Sequence, residues 1–337
     1  MRVGIIGLGK MGILHAGIVN ALPSSKVTAI CESEGMLTRL ASRVLPGVSF
    51  YRHPAEMAEE GNLDAIFVAS PIHTHVPIIR ELLRSNARIG IFSEKPLATN
   101  GTEARGIADL ARRQGVVNMV GFQKRFSPVL RHAKYLLEKR AIGRLQFMRC
   151  YSYASDIFRK GSGWRFKKGT GGVLLDLGPH LLDLLLWYFG EPEVISAIEQ
   201  SYYSSEVEDY VHAVFRFGAD FVGSFDVSWS KRHYRLPEIS IEVQGTAGSL
   251  SVCDDYVRIQ ADKSVEGVIE AGSKTFQRAA FDTGVQFLLA DPEYTVEDIH
   301  FLDAVQNRTK VEPDFQTAAE VSQLIDQVHQ VASRSEC

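Results

Sequence analysis

Short apolar runs recur through the first third of the chain, and amphipathic stretches separate them. The runs occupy residues 3–6, 27–31, 65–69, 89–92 and 116–121. Apolar runs without alternation are typical of parallel strands that helices cover on both faces. The intervening segments, such as residues 102–114, have helical spacing. The first 121 residues are therefore predicted to form one α/β domain with a doubly wound parallel sheet.

After Gly121 the pattern changes to closely spaced runs in which apolar and polar positions alternate. In residues 211–216, for example, valine, alanine and phenylalanine alternate with histidine, valine and arginine. Such alternation favours antiparallel strands with unlike faces. Strands are predicted at residues 145–154, 194–203, 210–217, 221–229, 238–244 and 249–253. Residues 122–337 are thus expected to form an α+β domain with an open, mostly antiparallel sheet, and its last helices (296–307 and 317–332) can pack on either domain.

Composition narrows the class of protein. The 337 residues carry a net charge of -3, so there is no basic footprint for nucleic acid or an anionic membrane. The most apolar later stretch, residues 181–189, contains Asp183 and is far shorter than the roughly 20 residues of a membrane-spanning helix. Four well-separated cysteines without metal-ligand spacing indicate a reducing, cytoplasmic compartment and no metal site.

A glycine motif directly follows the first predicted strand. Gly7, Gly9 and Gly12 would allow a tight turn, a close approach of pyrophosphate and close packing of helix on strand. Glu32 ends the next strand, where a carboxylate can bind ribose hydroxyls, which favours NAD over NADP. A glycine-rich turn without a ligand is the alternative, and NADP remains possible through Arg39 or Lys10. The predicted cofactor contacts here are Gly7, Gly9, Lys10, Met11, Gly12 and Glu32.

Two further polar segments begin where predicted strands end, which is where open α/β sheets bind ligands. The first contains Ser70, Pro71, His73 and His75, and its alternative role is simple helix capping by a hydroxyl. The second is Glu94-Lys95-Pro96. Lys95 could donate a hydrogen bond to an oxyanion that develops on a substrate. An ordinary surface ion pair is the alternative for Glu94 and Lys95.

A third candidate segment is a predicted helix that begins near Pro179 and stops at Gly190. Asp176 lies just before it and can turn back onto His180. A histidine oriented by a carboxylate can accept a proton near neutral pH. The alternative is that Asp176 only caps the helix and His180 is a half-buried structural histidine.

Taken together, these motifs resemble the Gfo/Idh/MocA family of glucose-fructose oxidoreductases and inositol dehydrogenases. The resemblance rests on the glycine motif, the segment from Ser70 to His75, the Glu94-Lys95-Pro96 motif and the set Asp176, His180 and Asp183. It covers essentially the whole chain. It implies a Rossmann domain, an NAD(P) cofactor, and a homodimer or homotetramer formed through the second-domain sheet.

The resemblance also implies roles for individual residues. His180 would be the general base, Lys95 would hold the reacting oxygen, and Asp176 would position both substrate and His180. Asp183 would bind a neighbouring hydroxyl. Further predicted cofactor contacts are Ser70, Pro71, His73, His75, Glu94, Lys95 and Gln123, and further predicted substrate contacts are Arg125, Tyr153, Trp164 and Arg165. Lys124, Lys168 and the run 231–235 could also reach a substrate, since cationic donors and aromatic faces suit phosphates and sugar rings. Solvated surface is the alternative for most of these candidates.

The predicted activity is an NAD(P)-dependent dehydrogenase that oxidises a secondary hydroxyl of a sugar, sugar nucleotide or cyclic polyol. Two alternatives stay open. One is a non-catalytic NAD(P)-binding regulator, although such relatives tend to lose the lysine or histidine that this chain keeps. The other is an aldose-aldose oxidoreductase with tightly bound NADP. Fold kinship alone does not choose a substrate.

Overall fold

The computed structural model describes residues 1–85, 88–158, 163–234 and 236–335. The chain divides into two compact units. The first comprises Met1–Gln123 and Val285–Gln323, and the second comprises Lys124–Gly284 and the chain from Leu324 onward. The first unit is therefore discontinuous in sequence, because a late segment returns to it.

The first unit is built on a parallel sheet of six strands, ordered β3-β2-β1-β4-β5-β6. The strands are β1 (Arg2–Ile6), β2 (Lys26–Cys31), β3 (Ser49–Tyr51), β4 (Ala65–Val68), β5 (Gly90–Ser93) and β6 (Asn118–Val120). The helices are α1 (Lys10–Ala21), α2 (Gly35–Val44), α3 (Pro54–Glu60), α4 (His75–Ser85), α5 (Gly101–Gln114) and α9 (Pro292–Asn307). Every residue of β4 and β5 is buried, as expected for strands covered on both faces. The predicted doubly wound α/β fold is confirmed.

The strand order creates a switch point between β1 and β4. β1 pairs in parallel with β2 on one side and with β4 on the other. The chain therefore leaves the sheet in opposite directions after these two strands, which opens a crevice at their carboxyl ends. The glycine motif follows β1 at that edge, and the segment from Ser70 follows β4.

The second unit contains a sheet of eight strands, ordered β14-β13-β12-β11-β7-β10-β9-β8. The strands are β7 (Leu145–Tyr153), β8 (Glu193–Gln200), β9 (Tyr210–Phe217), β10 (Phe221–Ser228), β11 (Glu238–Gly245), β12 (Gly248–Cys253), β13 (Tyr256–Ala261) and β14 (Gly272–Gln277). The pairs are antiparallel except for β10 with β7. The mostly antiparallel sheet predicted from the sequence is confirmed, with β13 and β14 as unpredicted additions.

One face of this second sheet is packed and the other is open. Cys150, Phe225 and Ala213 lie side by side on the packed face of β7, β10 and β9 and are fully buried or nearly so. Phe147 and Val222 pair on the open face and are well exposed. The helices of this unit are α6 (Pro128–Glu138), α7 (Val173–Asp176) and α8 (Gly178–Phe189), and α10 (Phe315–Ser335) is divided between the two units.

Two absences hold for the described part of the chain. None of its helices combines the length and the apolar character that crossing a bilayer requires. Its histidine, cysteine and carboxylate side chains form no cluster of three or more that could hold a metal ion.

Candidate active site

The glycine motif forms a tight turn between β1 and α1. Gly7 has φ +91° and donates its N–H to the carbonyl of Cys31 at 2.9 Å. A β-carbon at position 12 would lie 1.8 Å from the carbonyl oxygen of Gly7, so the helix can approach the turn this closely only with glycine there. A β-carbon at Gly9 would meet nothing within 4 Å.

This open space at Gly9 lies where α1 begins. Gly9 is the N-cap residue, and no side chain caps the helix. A helix N-terminus presents N–H groups and a positive dipole end, which suit the pyrophosphate of a dinucleotide. The residues present therefore fit this group, with Lys10 exposed and Met11 half-buried beside the turn.

Glu32 directly follows β2 and faces the glycine motif. Its two carboxylate oxygens accept the N–H groups of Leu8 at 2.7 Å and Glu34 at 2.8 Å. The carboxylate is thereby fixed beside the turn, at the position where an acidic residue can receive ribose hydroxyls. The sequence predicts the place of Glu32 at the end of the second strand, whereas nothing in the sequence indicates the bond to Leu8.

The segment after β4 is held by its own side chains. The hydroxyls of Ser70 and Thr74 lie 2.7 Å apart, and the Thr74 hydroxyl donates to the carbonyl of Pro71. His73 is exposed, whereas His75 is buried with its ring nitrogens 2.9 Å from the carbonyl of Pro96 and 2.8 Å from that of Ser70. His75 thus ties the ends of β4 and β5 together, which assigns it a supporting position and leaves Ser70 and His73 as the more accessible cofactor candidates.

Glu94 and Lys95 directly follow β5. Glu94 is nearly buried, and its Oε2 accepts the backbone N–H of Lys95 at 3.1 Å. Its Oε1 lies 3.1 Å from Nε2 of His15 on α1. Glu94 therefore connects α1 with the backbone after β5 inside the unit, in contrast to the surface ion pair that the sequence left as an alternative. Lys95 is half-buried at this sheet edge.

The end of β6 supplies Gln123, which lies three residues after Val120. Its side-chain amide donates to the Tyr294 hydroxyl on α9 at 3.3 Å. Burial raises the pKa of Tyr294, so its hydroxyl stays protonated near neutral pH. Gln123, Lys95 and Ser70 all leave the same carboxyl edge of the parallel sheet.

In the second unit, Asp176 and His180 lie at the junction of α7 and α8. Asp176 is buried at the end of α7 and accepts a hydrogen bond from Arg165 at 3.0 Å. Arg165 also reaches Asp156 at 3.3 Å, so one guanidinium bridges two carboxylates. His180 is half-buried in the first turn of α8, and Trp164 stands beside Arg165 in a short 3-10 helix.

Arg125 and Asp183, both predicted to contact substrate, form an ion pair with each other in the structure. The guanidinium of Arg125 donates two hydrogen bonds to the carboxylate of Asp183, each 2.8 Å long. Asp183 is fully buried and Arg125 is nearly so. Each side chain satisfies the other, because a bidentate pair uses both carboxylate oxygens. We therefore assign this pair to the structure of the second unit.

The remaining substrate candidates are distributed over this unit. Tyr153 stacks on Tyr151 with ring centres 4.4 Å apart, and the Lys231 ammonium lies over its ring. Lys124 pairs with Asp254, and Lys168 is exposed. Arg235, the last residue of the basic run, lies outside the described residues.

Sequence reasoning missed two ionisable side chains that are buried in the first unit, His15 and Asp298. His15 is fully buried on α1, three residues after Gly12, and Asp298 is fully buried on α9. A polar residue at a buried helical position of α1 was the available signal for His15. The sequence does not indicate that Asp298 is buried, because the buried positions of α9 include both acidic and apolar residues and so follow no apolar pattern.

Comparisons with known proteins define the class of this molecule. Residues 1–122 match the model of an oxidoreductase family with an NAD-binding Rossmann fold, and residues 130–251 match the Gfo/Idh/MocA C-terminal domain. The chain belongs to the Gfo/Idh/MocA family of oxidoreductases. The predicted family and the predicted NAD-binding domain are thereby confirmed.

Individual relatives are distant. The rhizopine catabolism protein MocA of Rhizobium meliloti is 27% identical over 190 residues, which are 56% of this chain and only 57% of that protein. The scyllo-inositol 2-dehydrogenase (NAD(+)) of Bacillus subtilis is 25% identical over 75% of this chain and 73% of its own. A solved levoglucosan dehydrogenase, in complex with NADH and levoglucosan, superposes with a TM-score of 0.87 at 23% identity, covering 99% of this chain and 97% of that one.

Proposed function

We propose that the protein is an NAD-dependent dehydrogenase that oxidises a secondary hydroxyl of a sugar, sugar nucleotide or cyclic polyol. The observation that carries the proposal lies within the first unit. The glycine turn, Ser70 and Lys95 leave three strands at one carboxyl edge, beside the switch point between β1 and β4. Dinucleotides bind open α/β sheets at that edge. The names of the two dehydrogenases described above support a sugar or cyclitol as substrate.

The chemistry requires a proton acceptor and a donor for the reacting oxygen. NAD, when bound, takes the hydride from the oxidised carbon. We assign the proton to His180, whose imidazole can accept it near neutral pH. Lys95 donates a hydrogen bond to the same oxygen and offsets its developing charge. Asp176, restrained by Arg165, positions substrate and His180.

Preference for NAD follows from Glu32. Its carboxylate is fixed by two backbone N–H groups beside the glycine turn, so it would repel the added phosphate of NADP. We expect Glu32→Ala to lose at least about tenfold in its ratio of kcat/KM for NAD over NADP. An unchanged ratio would assign the preference to other residues.

The decisive experiment measures nicotinamide absorbance with NAD or NADP and a panel of cyclitols, anhydrosugars, aldoses and nucleotide sugars. We expect turnover with at least one member. His180→Ala and Lys95→Ala should each lower kcat by about a hundredfold or more, because general acid–base groups typically contribute that much. Lys139→Ala, an exposed lysine at the end of α6, is the matched control and should keep normal turnover.

Three outcomes would contradict this proposal. Normal turnover in both active-site variants would remove His180 and Lys95 from the chemistry. NAD binding without turnover of any panel member would instead favour the regulator, and the search would move to protein partners. Cofactor that stays bound through gel filtration would favour the aldose-aldose reaction with tightly held NADP.

The open face of the eight-stranded sheet supports a homo-oligomer. Phe147, Val222 and Ile198 lie on that face and are 57%, 41% and 51% exposed. Exposed apolar side chains on one continuous face are typical of an interaction surface. We propose that two or four copies associate through it. Light scattering should give a multiple of the 37.4 kDa chain, and a Val222→Lys variant should shift the mass toward the monomer.

A further inference from the structure

The imidazole of His15 is enclosed by two carboxylates and an aromatic wall in the first unit. Its Nδ1 lies 2.9 and 3.0 Å from the two oxygens of Asp298, and its Nε2 lies 3.1 Å from Oε1 of Glu94. The rings of Phe67 and Phe92 pack on it with centre distances of 5.2 and 5.1 Å. His15 and Asp298 are fully buried. Carboxylates from two different elements thus face the two ring nitrogens.

This geometry favours the protonated, positively charged form of the His15 ring. A neutral imidazole has one N–H, so it can donate to only one of the two carboxylates. Two carboxylates at hydrogen-bond distance from the two ring nitrogens therefore favour the imidazolium, which has two N–H groups and an attractive charge. Burial lowers the pKa of His15, but the charges and hydrogen bonds of Asp298 and Glu94 outweigh burial and raise the pKa well above its usual value.

The carboxylate of Glu94 contacts both His15 and the backbone of Lys95. While Oε1 of Glu94 faces His15, its Oε2 accepts the backbone N–H of Lys95. Gly121 lies close to this carboxylate, since a β-carbon there would be 3.3 Å from Oε2. The carboxylate of Glu94 thus connects His15 through Oε1 with the backbone of Lys95 through Oε2, and without the His15 contact Oε1 loses this charged partner.

We infer that His15 is a positioning residue for Lys95. Its imidazolium holds the Glu94 carboxylate, and Glu94 holds the backbone of Lys95. The same histidine belongs to α1, whose N-terminus carries the glycine turn. One chain of charged hydrogen bonds therefore fixes the helix at the cofactor end and the lysine at the substrate end. The effect on turnover rests on the proposed function, whereas the hydrogen bonds themselves do not.

The first test needs no activity and uses the full-length protein with histidine labelled with ¹⁵N. His15→Gln identifies the His15 signals by their loss. We expect both ring nitrogens of His15 to be protonated at about pH 8, more than a unit above the ordinary histidine pKa. A ring nitrogen without a proton under these conditions would overturn the inference.

The second test separates the hydrogen bond of Nδ1 with Asp298 from that of Nε2 with Glu94. In His15→Gln the side-chain amide reaches the position of Nε2 and keeps a donor for Glu94. In His15→Asn the shorter amide reaches the position of Nδ1 and keeps only the donor for Asp298. We expect the backbone amide signal of Lys95, assigned with Lys95→Arg, to shift in His15→Asn and to stay near its normal position in His15→Gln. An unmoved signal in both variants would contradict positioning through Glu94.

Kinetics supply the third readout. His15→Asn should lower kcat at least about tenfold more than His15→Gln, with KM for NAD within about threefold of normal in both. Phe301→Leu is the matched control, because Phe301 packs on Phe67 and Phe92 without a hydrogen bond to Glu94. It should lower the melting temperature with kcat nearly unchanged. A loss of kcat that follows melting temperature across all three variants would reduce His15 to a purely structural role.

These readouts separate the two proposals. A protein with the expected His15 and Lys95 signals but no turnover would contradict the dehydrogenase and leave the positioning contact established. A protein that turns over substrate with a neutral His15 would contradict the positioning contact and leave the dehydrogenase intact.

Discussion

At the scale of single residues, Gly9 and Gly12 have different tasks in the same motif. Gly12 is required by the fold, because a β-carbon there would collide with the Gly7 carbonyl, whereas the space beside Gly9 is open. Gly9→Ala should therefore keep the normal melting temperature without cofactor and weaken NADH binding at least about tenfold. Gly12→Ala should lower the melting temperature itself.

Thermal unfolding with a fluorescence titration of NADH checks this pair. Each variant is the control for the other, since both change one glycine of one turn to alanine. NADH binding of normal strength by Gly9→Ala would show that the pyrophosphate does not use the open space at the start of α1.

The ion pair of Arg125 and Asp183 makes a second prediction at this scale. Removing one partner from a buried pair leaves an uncompensated charge, so Asp183→Leu should lower the free energy of unfolding by about 3–5 kcal/mol. Adding Arg125→Met to that variant should recover much of the loss. Denaturant titrations measure both values. A stable Asp183→Leu variant with a greatly raised KM for substrate would restore the substrate-binding role predicted from the sequence.

Residue types at fixed local spacing were predictable, and long-range partners were not. The glycine motif, Glu32 and the Glu94-Lys95-Pro96 segment all stand at strand ends that apolar runs reveal. Arg125 and Asp183 are 58 residues apart, and His15 and Asp298 are 283 residues apart. Local periodicity carries no information about which distant charges meet, so neither ion pair could be predicted from the sequence.

At the scale of elements, the sequence predicts long apolar elements well and short or exposed ones poorly. Helix α8 runs from Gly178 to Phe189 with proline in its first turn and Gly190 after its end, as predicted. Strand β3 has only three residues, and β14 is a largely exposed edge strand without a buried face. Such strands are defined by pairing with a neighbour, which no alternation of their own records.

The start of α7 makes a prediction at this scale. Gly172 precedes the helix at φ +118°, and Glu208 receives the N–H of Leu174 at 3.0 Å. A β-carbon at position 172 would lie 2.2 Å from the Glu208 carboxylate. Gly172→Ala should therefore displace this contact, lower the free energy of unfolding by about 2 kcal/mol or more, and lower kcat because α7 carries Asp176.

Gly169→Ala is the matched control for backbone strain. Gly169 also has a positive φ, +82°, but a β-carbon there would meet nothing within 4 Å. Its loss should be limited to about 1 kcal/mol and should leave kcat unchanged. Denaturant unfolding and steady-state rates compare the two; equal losses in both would remove Glu208 from the explanation.

For the whole molecule, the cluster around His15 predicts how stability depends on pH. Burial lowers the pKa of His15, but the charges and hydrogen bonds of Asp298 and Glu94 outweigh it and leave this pKa well above its usual value. Burial raises the pKa of Asp298 despite the opposing charge of His15. The folded protein therefore binds more protons here than the unfolded chain does, so stability falls as pH rises. The His15 contribution is complete below about pH 6.5 and is lost as pH rises through the raised pKa.

Melting temperatures between about pH 6 and 9 measure this contribution. The normal protein should lose stability with rising pH more steeply than His15→Gln, which cannot take up the proton. Parallel curves for the two proteins would show that the imidazole binds no additional proton on folding.

The discontinuity of the first unit has a consequence for synthesis on the ribosome. Residues 1–123 leave the exit tunnel long before residues 285–323, which complete that unit. Until α9 arrives, His15 lacks Asp298, and the rings of Phe67 and Phe92 lack their contact with Phe301. The nascent chain thus carries an uncovered aromatic surface while all of β7 to β14 is being translated. Transiently exposed apolar surface of this kind is prone to aggregation, so we expect a nascent-chain chaperone to protect it during synthesis.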